Sequence, residues 1–248
     1  MKKILGIDVG GTKIASAFVE SGVELKNLSI ESTSQIDLVR QLRELIKKQK
    51  NFDAIGLAMP GQVLADGTVV RLPNVPHFQT TNLKTMLSQE FNVPVSVVND
   101  AKAFAFAEAK VGQAQNNANV AGVILGTGIG VGFVINQKIY FGKDGISGEF
   151  EHVRLLDGQL FRELRHAAGR FSSAKEAEVY LETLLDMVVL SFNPDIIILG
   201  GGWDNLPGME DLANKITTNV GNYENNTPVK VSQMKYPSLI GAALLALE

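Results

Sequence analysis

Two glycine-rich stretches carry residue types suited to holding phosphate. The first is Gly6-Ile7-Asp8-Val9-Gly10-Gly11-Thr12-Lys13, preceded by apolar Ile4-Leu5 and followed by Ile14-Ala15-Ser16-Ala17-Phe18-Val19. Two β-prone runs joined by Gly-Gly read as a hairpin. Its glycines let backbone N–H groups approach an anion, and Thr12 and Lys13 add a hydroxyl and a cation. Asp8 falls at a strand end, where one carboxylate can hold Mg²⁺ directly or through water. The second stretch runs from Val123 to Ile135 and repeats the pattern: a strand, a Gly126-Thr127-Gly128 turn and a returning strand. Two such loops, more than a hundred positions apart, predict a duplicated domain with phosphate held between the halves. Neither G-x-x-x-x-G-K-[ST] nor G-x-G-x-x-G is present, so the strand–loop–helix phosphate motifs do not fit.

Other polar residues follow apolar runs. Val93 to Val98 predicts a strand that delivers Asn99-Asp100 at its carboxyl end, where ligands collect in open α/β sheets; either residue can instead cap the helix that follows. Gly145-Ile146-Ser147-Gly148-Glu149-Phe150-Glu151-His152 sets a polar cluster behind a glycine-rich loop, a pattern that by itself suits a surface. Leu72-Pro73-Asn74-Val75-Pro76 by itself suits a rigid polyproline-type connector. Ile198-Leu199 runs into Gly200-Gly201-Gly202, and three glycines after a buried strand permit close approach of a purine or ribose.

The paired loops resemble the phosphate grip of the sugar kinase, actin and Hsp70 superfamily. Within it, Ile7-Asp8-Val9-Gly10-Gly11-Thr12-Lys13 resembles the ROK family of sugar kinases and sugar-responsive repressors. Val98-Asn99-Asp100-Ala101 matches the family's Asn-Asp-Ala, which implies Asp100 as general base toward a sugar hydroxyl and Asn99 as a hydrogen-bonding group for the sugar. Glu149 and His152 keep the spacing of the family's Gly-Glu-x-Gly-His element, which implies that both bind sugar hydroxyls. Asn74 is similarly implied to border the sugar, and Glu163 is the counterpart of a later sugar-binding Glu. The resemblance gives the phosphate donor to Asp8, Gly10, Gly11, Thr12, Lys13, Gly126, Thr127 and Gly128, and the nucleoside side to Gly201 and Gly202. Ile240-Gly241-Ala242-Ala243 matches the small residues of the family's final helix, so the likeness covers essentially the whole chain.

Two departures stand out. Lys102 replaces a usual Asn; two positions along a helix point to different faces, so it need not touch the site. Glu151 replaces a usual Gly, and if that position has φ > 0 the exchange costs roughly 1 kcal/mol. The family's cysteine-rich zinc motif is also missing: Leu155-Leu156-Asp157-Gly158 to Glu163 stands there instead, as in the short polyphosphate-using glucokinases that the chain resembles.

Composition bounds the rest. The chain has 248 residues, a net charge of −3 and no cysteine, so disulfides and thiolate-held zinc are excluded. No basic patch points to nucleic acid. Met1 to Leu5 enters a strand too quickly for a signal peptide, and no apolar run approaches a membrane span; a cytoplasmic protein is expected.

Strands alternating with helices must position these residues. Ser34-Gln35-Ile36-Asp37 has capping-box spacing, and Ile36, Val39, Leu42, Leu45 and Ile46 predict an amphipathic helix over 35–49. A buried strand is predicted over 54–59, helices over 83–91 and 101–111, and a boundary between halves in the polar stretch 113–119. A helix over 175–192, a strand over 195–199, a helix over about 208–220, a strand near 229–231 and a closing helix over 238–247 follow. The expected fold is α/β: two ribonuclease-H-like domains of the actin/hexokinase superfamily flanking a cleft. They span 1–112, with the C-terminal helix 238–248 packing back, and 113–237. The implied protein is an ATP- and Mg²⁺-dependent hexose kinase, glucokinase-like and homodimeric. A polyphosphate-dependent glucokinase and a non-catalytic sugar-binding protein are the alternatives.

Overall fold

The computed structural model describes residues 2–73, 75, 78–126, 128–163, 174–202, 208–221 and 223–248. Packing divides the chain into two units: Met1–Ala107 with Phe141–Ile146 and Lys235–Glu248, and Glu108–Tyr140 with Ser147–Met234.

The first unit is built on a five-stranded sheet. Strands β1 (Ile4–Val9), β2 (Lys13–Glu20) and β3 (Glu24–Ser32) form an antiparallel meander. Strand β4 (Ala54–Met59) adds parallel to β1, and a later strand, Val95–Asn99, adds parallel to β4. Parallel neighbours need crossovers. Helix α1 (Leu38–Lys47) lies between β3 and β4. A small sheet of β5 (Gln62–Val63), β6 (Thr68–Arg71) and β7 (Thr81–Asn82), followed by α2 (Leu83–Phe91), precedes Val95–Asn99, which is β8. Leu38, Leu42, Leu45 and Ile46 of α1 are buried with Leu5, Ile7, Ile55 and Leu57 of the sheet.

Helix α1 is shorter than the 35–49 predicted. Asp37, not Ser34, is its N-cap and accepts from the N–H of Arg40 at 3.0 Å. Ser34 Oγ accepts from the N–H groups of Ile36 and Asp37 and so turns the chain ahead of the helix. Ile36 accordingly stays 94% exposed instead of joining the core. The C-terminal helix, Pro237–Leu245, packs on this sheet, where buried Ser96 Oγ donates to the carbonyl of Ala242 at 2.6 Å.

Helix α3 (Asp100–Val111) starts in the first unit and ends in the second. The second unit repeats the plan. Strands β9 (Val120–Leu125), β10 (Ile129–Ile135) and β11 (Lys138–Ile139) form an antiparallel meander, and two further strands, Ile196–Gly201 (β12) and Val229–Val231, run parallel beyond β9. The sheet orders are β3-β2-β1-β4-β8 and β11-β10-β9-β12 followed by Val229–Val231, strand for strand the same. Helices α4 (Ala174–Phe192) and α5 (Met209–Thr218) cover this sheet; Leu181, Leu184, Leu185 and Val188 of α4 share one buried cluster with Val123, Phe133 and Leu199.

Candidate active site

In the first unit the glycine loop is held in place from outside. The N–H of Gly10 donates to the carbonyl of Lys13 at 2.8 Å, which closes the β1–β2 turn. Thr33 Oγ1 donates to the Gly10 carbonyl at 2.8 Å, and Gln35 Nε2 donates to that of Gly11 at 2.9 Å. Both residues lie just past β3, so the third strand of the meander braces the turn between the first two. Thr12 and Lys13 are exposed at the tip.

Two carboxyl groups stand at the same end of this sheet. Asp8 is the penultimate residue of β1, and Asp100 opens α3 directly after β8. Burial, and after it the charge of Asp100, pushes the Asp8 carboxyl up to about 7. Asn99 is committed to the fold: Oδ1 accepts from the N–H groups of Ala101 and Lys102, and Nδ2 donates to the Gly61 carbonyl at 3.1 Å. Of the two residues that could cap α3, Asn99 therefore does so with its side chain. The Oδ1 of Asp100 accepts from the N–H of Ala101 at 2.8 Å, and Asp100 is half-buried.

In the second unit the matching turn is closed by the Gly126 N–H donating to the Gly128 carbonyl at 2.9 Å. Beside it, β12 ends at Gly201, whose φ of +96° and whose distance of 2.4 Å from an added Cβ to the Leu125 carbonyl restrict this position to glycine. Among the described residues, a Cβ on Gly202 would meet nothing within 4 Å. Gly148 has φ +85°, and a Cβ there would lie 1.9 Å from the Val131 carbonyl, so the loop after β11 is pressed onto β10. The 3₁₀ turn Phe150–His152 follows, with Phe150 edge-on to Phe133 at 6.3 Å. Glu149 and His152 face each other at 3.8 Å, Oε2 to Nε2.

One expectation meets a different geometry. Glu151 sits in the 3₁₀ turn and is absent from the non-glycine residues with positive φ, so no backbone strain attends it. Its carboxylate lies beside Gly128, with Oε2 at 3.4 Å from where a Cβ on that glycine would be. Lys102 is 1% exposed and its Nζ donates to the Gly145 carbonyl at 3.1 Å. Glu163 Oε2 accepts from the N–H of Leu160 at 3.0 Å, a helix-start contact. Asn74 and Thr127 lie outside the described residues. Among the described residues no group of three or more His, Cys, Asp or Glu could hold a metal ion, and no helix is long and apolar enough to cross a membrane.

The first-unit residues nonetheless fit a phosphate donor carried with a hard divalent ion. A buried carboxyl whose proton affinity is raised by burial and by a neighbouring carboxylate is relieved by a cation, and the braced turn offers backbone N–H groups, a hydroxyl and an ammonium beside it. Two α/β units of one strand order, each led by a glycine hairpin, define the fold of the actin/hexokinase ATPases. The chain belongs to the ROK family, whose sequence model matches residues 4–172. It is 29% identical to the N-acetylgalactosamine kinase AgaK of Shewanella sp. (strain ANA-3), covering 79% of this chain and 80% of that protein. It is 29% identical to an N-acetyl-D-glucosamine kinase of Vibrio parahaemolyticus, covering 81% and 84%. A ROK family glucokinase from Streptomyces griseus, solved with glucose and AMPPNP, has the same fold, with a TM-score of 0.84 at 22% identity and 99% of each chain covered.

Proposed function

We propose that the protein is a sugar kinase that moves the terminal phosphoryl group of ATP to a hydroxyl of a hexose or N-acetylhexosamine. The 6-hydroxyl of glucose or a related sugar is the first choice. The observation that carries this reading is the placement of Asp100 and Asp8 at one end of a sheet whose braced glycine turn stands beside them. The two N-acetylhexosamine kinases and the glucokinase among its relatives support the same class and widen the acceptor list.

Asp100 acts as general base. It accepts the proton of the acceptor hydroxyl as that oxygen forms its bond to the terminal phosphorus and the bond to ADP breaks. Thr12, Lys13 and the backbone of Gly10 and Gly11 hold the donor's phosphates, with Gly126 and Gly128 contributing the second turn. Asp8 would hold Mg²⁺, directly or through water, and the bound ion would supply neutralisation of the charge that develops on the transferred group. Glu149 and His152 bind sugar hydroxyls. Asn99 serves chiefly by fixing the start of α3, and hence Asp100.

The test is Asp100→Asn. Loss of a general base lowers turnover by about 10²–10⁴-fold, while calorimetry should find sugar binding retained. Near-normal turnover would overturn the assignment. A coupled ADP-release screen over glucose, mannose, fructose, allose and the N-acetylhexosamines identifies the acceptor.

A further inference from the structure

The tip of the β1–β2 turn holds two backbone N–H groups that the fold itself does not use. Gly11 and Thr12 lie between the two strands, and among the described residues neither N–H donates a hydrogen bond. Unused donors are ordinary at a surface turn. What sets these two apart is how their peptide planes are held.

The carbonyl of Gly10 and the N–H of Gly11 share one peptide plane, as do the carbonyl of Gly11 and the N–H of Thr12. In a trans peptide the two groups point in opposite directions. Thr33 Oγ1 holds the first carbonyl at 2.8 Å, and Gln35 Nε2 holds the second at 2.9 Å. Both come from the segment just past β3, so both N–H groups are turned away from that segment. The Thr33 N–H fixes the next carbonyl, that of Thr12, at 3.0 Å from the same segment.

The segment has its own support. Thr33 is buried. Helix α1 reaches its neighbours through Gln41, whose Oε1 accepts from the Ser34 N–H at 2.7 Å and whose Nε2 donates to the Ser32 carbonyl at 2.7 Å. Gln41 thus grips the backbone on both sides of Thr33. Two successive N–H groups turned the same way, with no side chain on Gly11, make an anion cradle whose donors are oriented before a ligand arrives.

We propose that Thr33 and Gln35 are positioning residues for the phosphate donor. By holding the carbonyls of Gly10 and Gly11 they aim the N–H groups of Gly11 and Thr12 at an oligophosphate oxygen. They act through the backbone, and the ligand is read by its phosphate oxygens whether or not it carries a nucleoside. The inference rests on the donor reading given above.

Isothermal titration of the full chain with Mg²⁺-ATP and with Mg²⁺-tripolyphosphate tests it. Thr33→Val keeps the shape of the side chain and removes the hydroxyl, so it should weaken both probes about tenfold. Thr33→Ser restores the hydroxyl and should bind both within about threefold of the wild type. Gln35→Leu, at an exposed position, should fold normally and weaken both about threefold; it carries the test alone if Thr33→Val does not fold. Amide NMR adds a readout that packing does not move. In the wild type, Mg²⁺-tripolyphosphate should shift the Gly11 and Thr12 amide protons downfield. The Gly11 shift should shrink in Thr33→Val and the Thr12 shift in Gln35→Leu. Equal weakening by Thr33→Val and Thr33→Ser, or unchanged affinities and amide shifts in Thr33→Val and Gln35→Leu, overturns this inference and leaves the donor reading standing. So does a wild type that binds both probes without moving either amide. Failure of the wild type to bind either probe overturns the donor reading and this inference with it.

Discussion

Lys102 Nζ donates to the backbone carbonyl of Gly145 at 3.1 Å, and both groups are buried. The contact ties the first turn of α3, two residues past Asp100, to the segment Phe141–Ile146, which packs with the first unit although its chain neighbours on both sides belong to the second. Gln62 Nε2 adds a second tie to the same segment, donating to the Asp144 carbonyl at 2.8 Å.

Replacing Lys102 by Met keeps the length of the side chain and removes the donor. A buried carbonyl left without this partner costs about 1–3 kcal/mol, or roughly 2–10 °C in melting temperature for a chain of this size. The local readout is sharper: amide exchange in 141–146 should accelerate in Lys102→Met more than in the sheet of the first unit. Equal protection of that segment in both proteins would mean that Gln62 and backbone packing suffice.

Asp8 gives stability a pH dependence. Its carboxyl is raised to about 7, by burial first and by Asp100 second, so the native state keeps a proton that the unfolded chain releases near pH 4. The stability it contributes is complete below about pH 4 and is lost as pH rises through about 7. Asp8→Asn, which cannot ionise, escapes that loss. Without metal, the variant should gain on the wild type by about 1–3 kcal/mol between pH 4 and 8, allowing for partial exposure. Mg²⁺ should return part of the difference to the wild type at pH 8. Melting curves of the two proteins that run parallel over this range would rule out the raised carboxyl.

What was legible in the sequence follows from how local each signal is. The two hairpins were readable because strand alternation and a glycine turn are contiguous, and the equal order of the two sheets follows from that repeat. The strand end carrying Asn99-Asp100 was readable for the same reason, and so was the ambiguity over which of them caps α3. Ser34 and Asp37 both suit a cap, and only the path of the chain decides that Asp37 takes it and leaves Ile36 in solvent. Lys102 shows the limit of a helix-face argument. Spacing fixes which residues share a face but not what covers that face, and here Gly145 does. Glu151 drew attention as a backbone problem, yet its φ is ordinary; it lies beside Gly128, a contact made only when β10 and the 3₁₀ turn meet.

The nucleoside side of the donor can be probed at the end of β12, where two adjacent glycines differ in kind. Gly201 has φ +96° and no room, because a Cβ would lie 2.4 Å from the Leu125 carbonyl in the β9–β12 ladder. Any side chain there strains the sheet itself, so loss of activity in Gly201→Ala would report on folding and say nothing of the donor. Gly202 is the informative position: its φ is outside the left-handed range and, among the described residues, a Cβ meets nothing within 4 Å. Gly202→Leu should fold with a melting temperature close to wild type and fill the space past the strand end. If adenine or ribose lies there, Mg²⁺-ATP binding should weaken by about tenfold or more, since a close approach of backbone to ligand is lost. Mg²⁺-tripolyphosphate, which has no nucleoside, should keep its affinity within about threefold. Equal weakening of both probes, or of neither, would move the nucleoside away from β12 and leave Gly200 to Gly202 with a packing role alone.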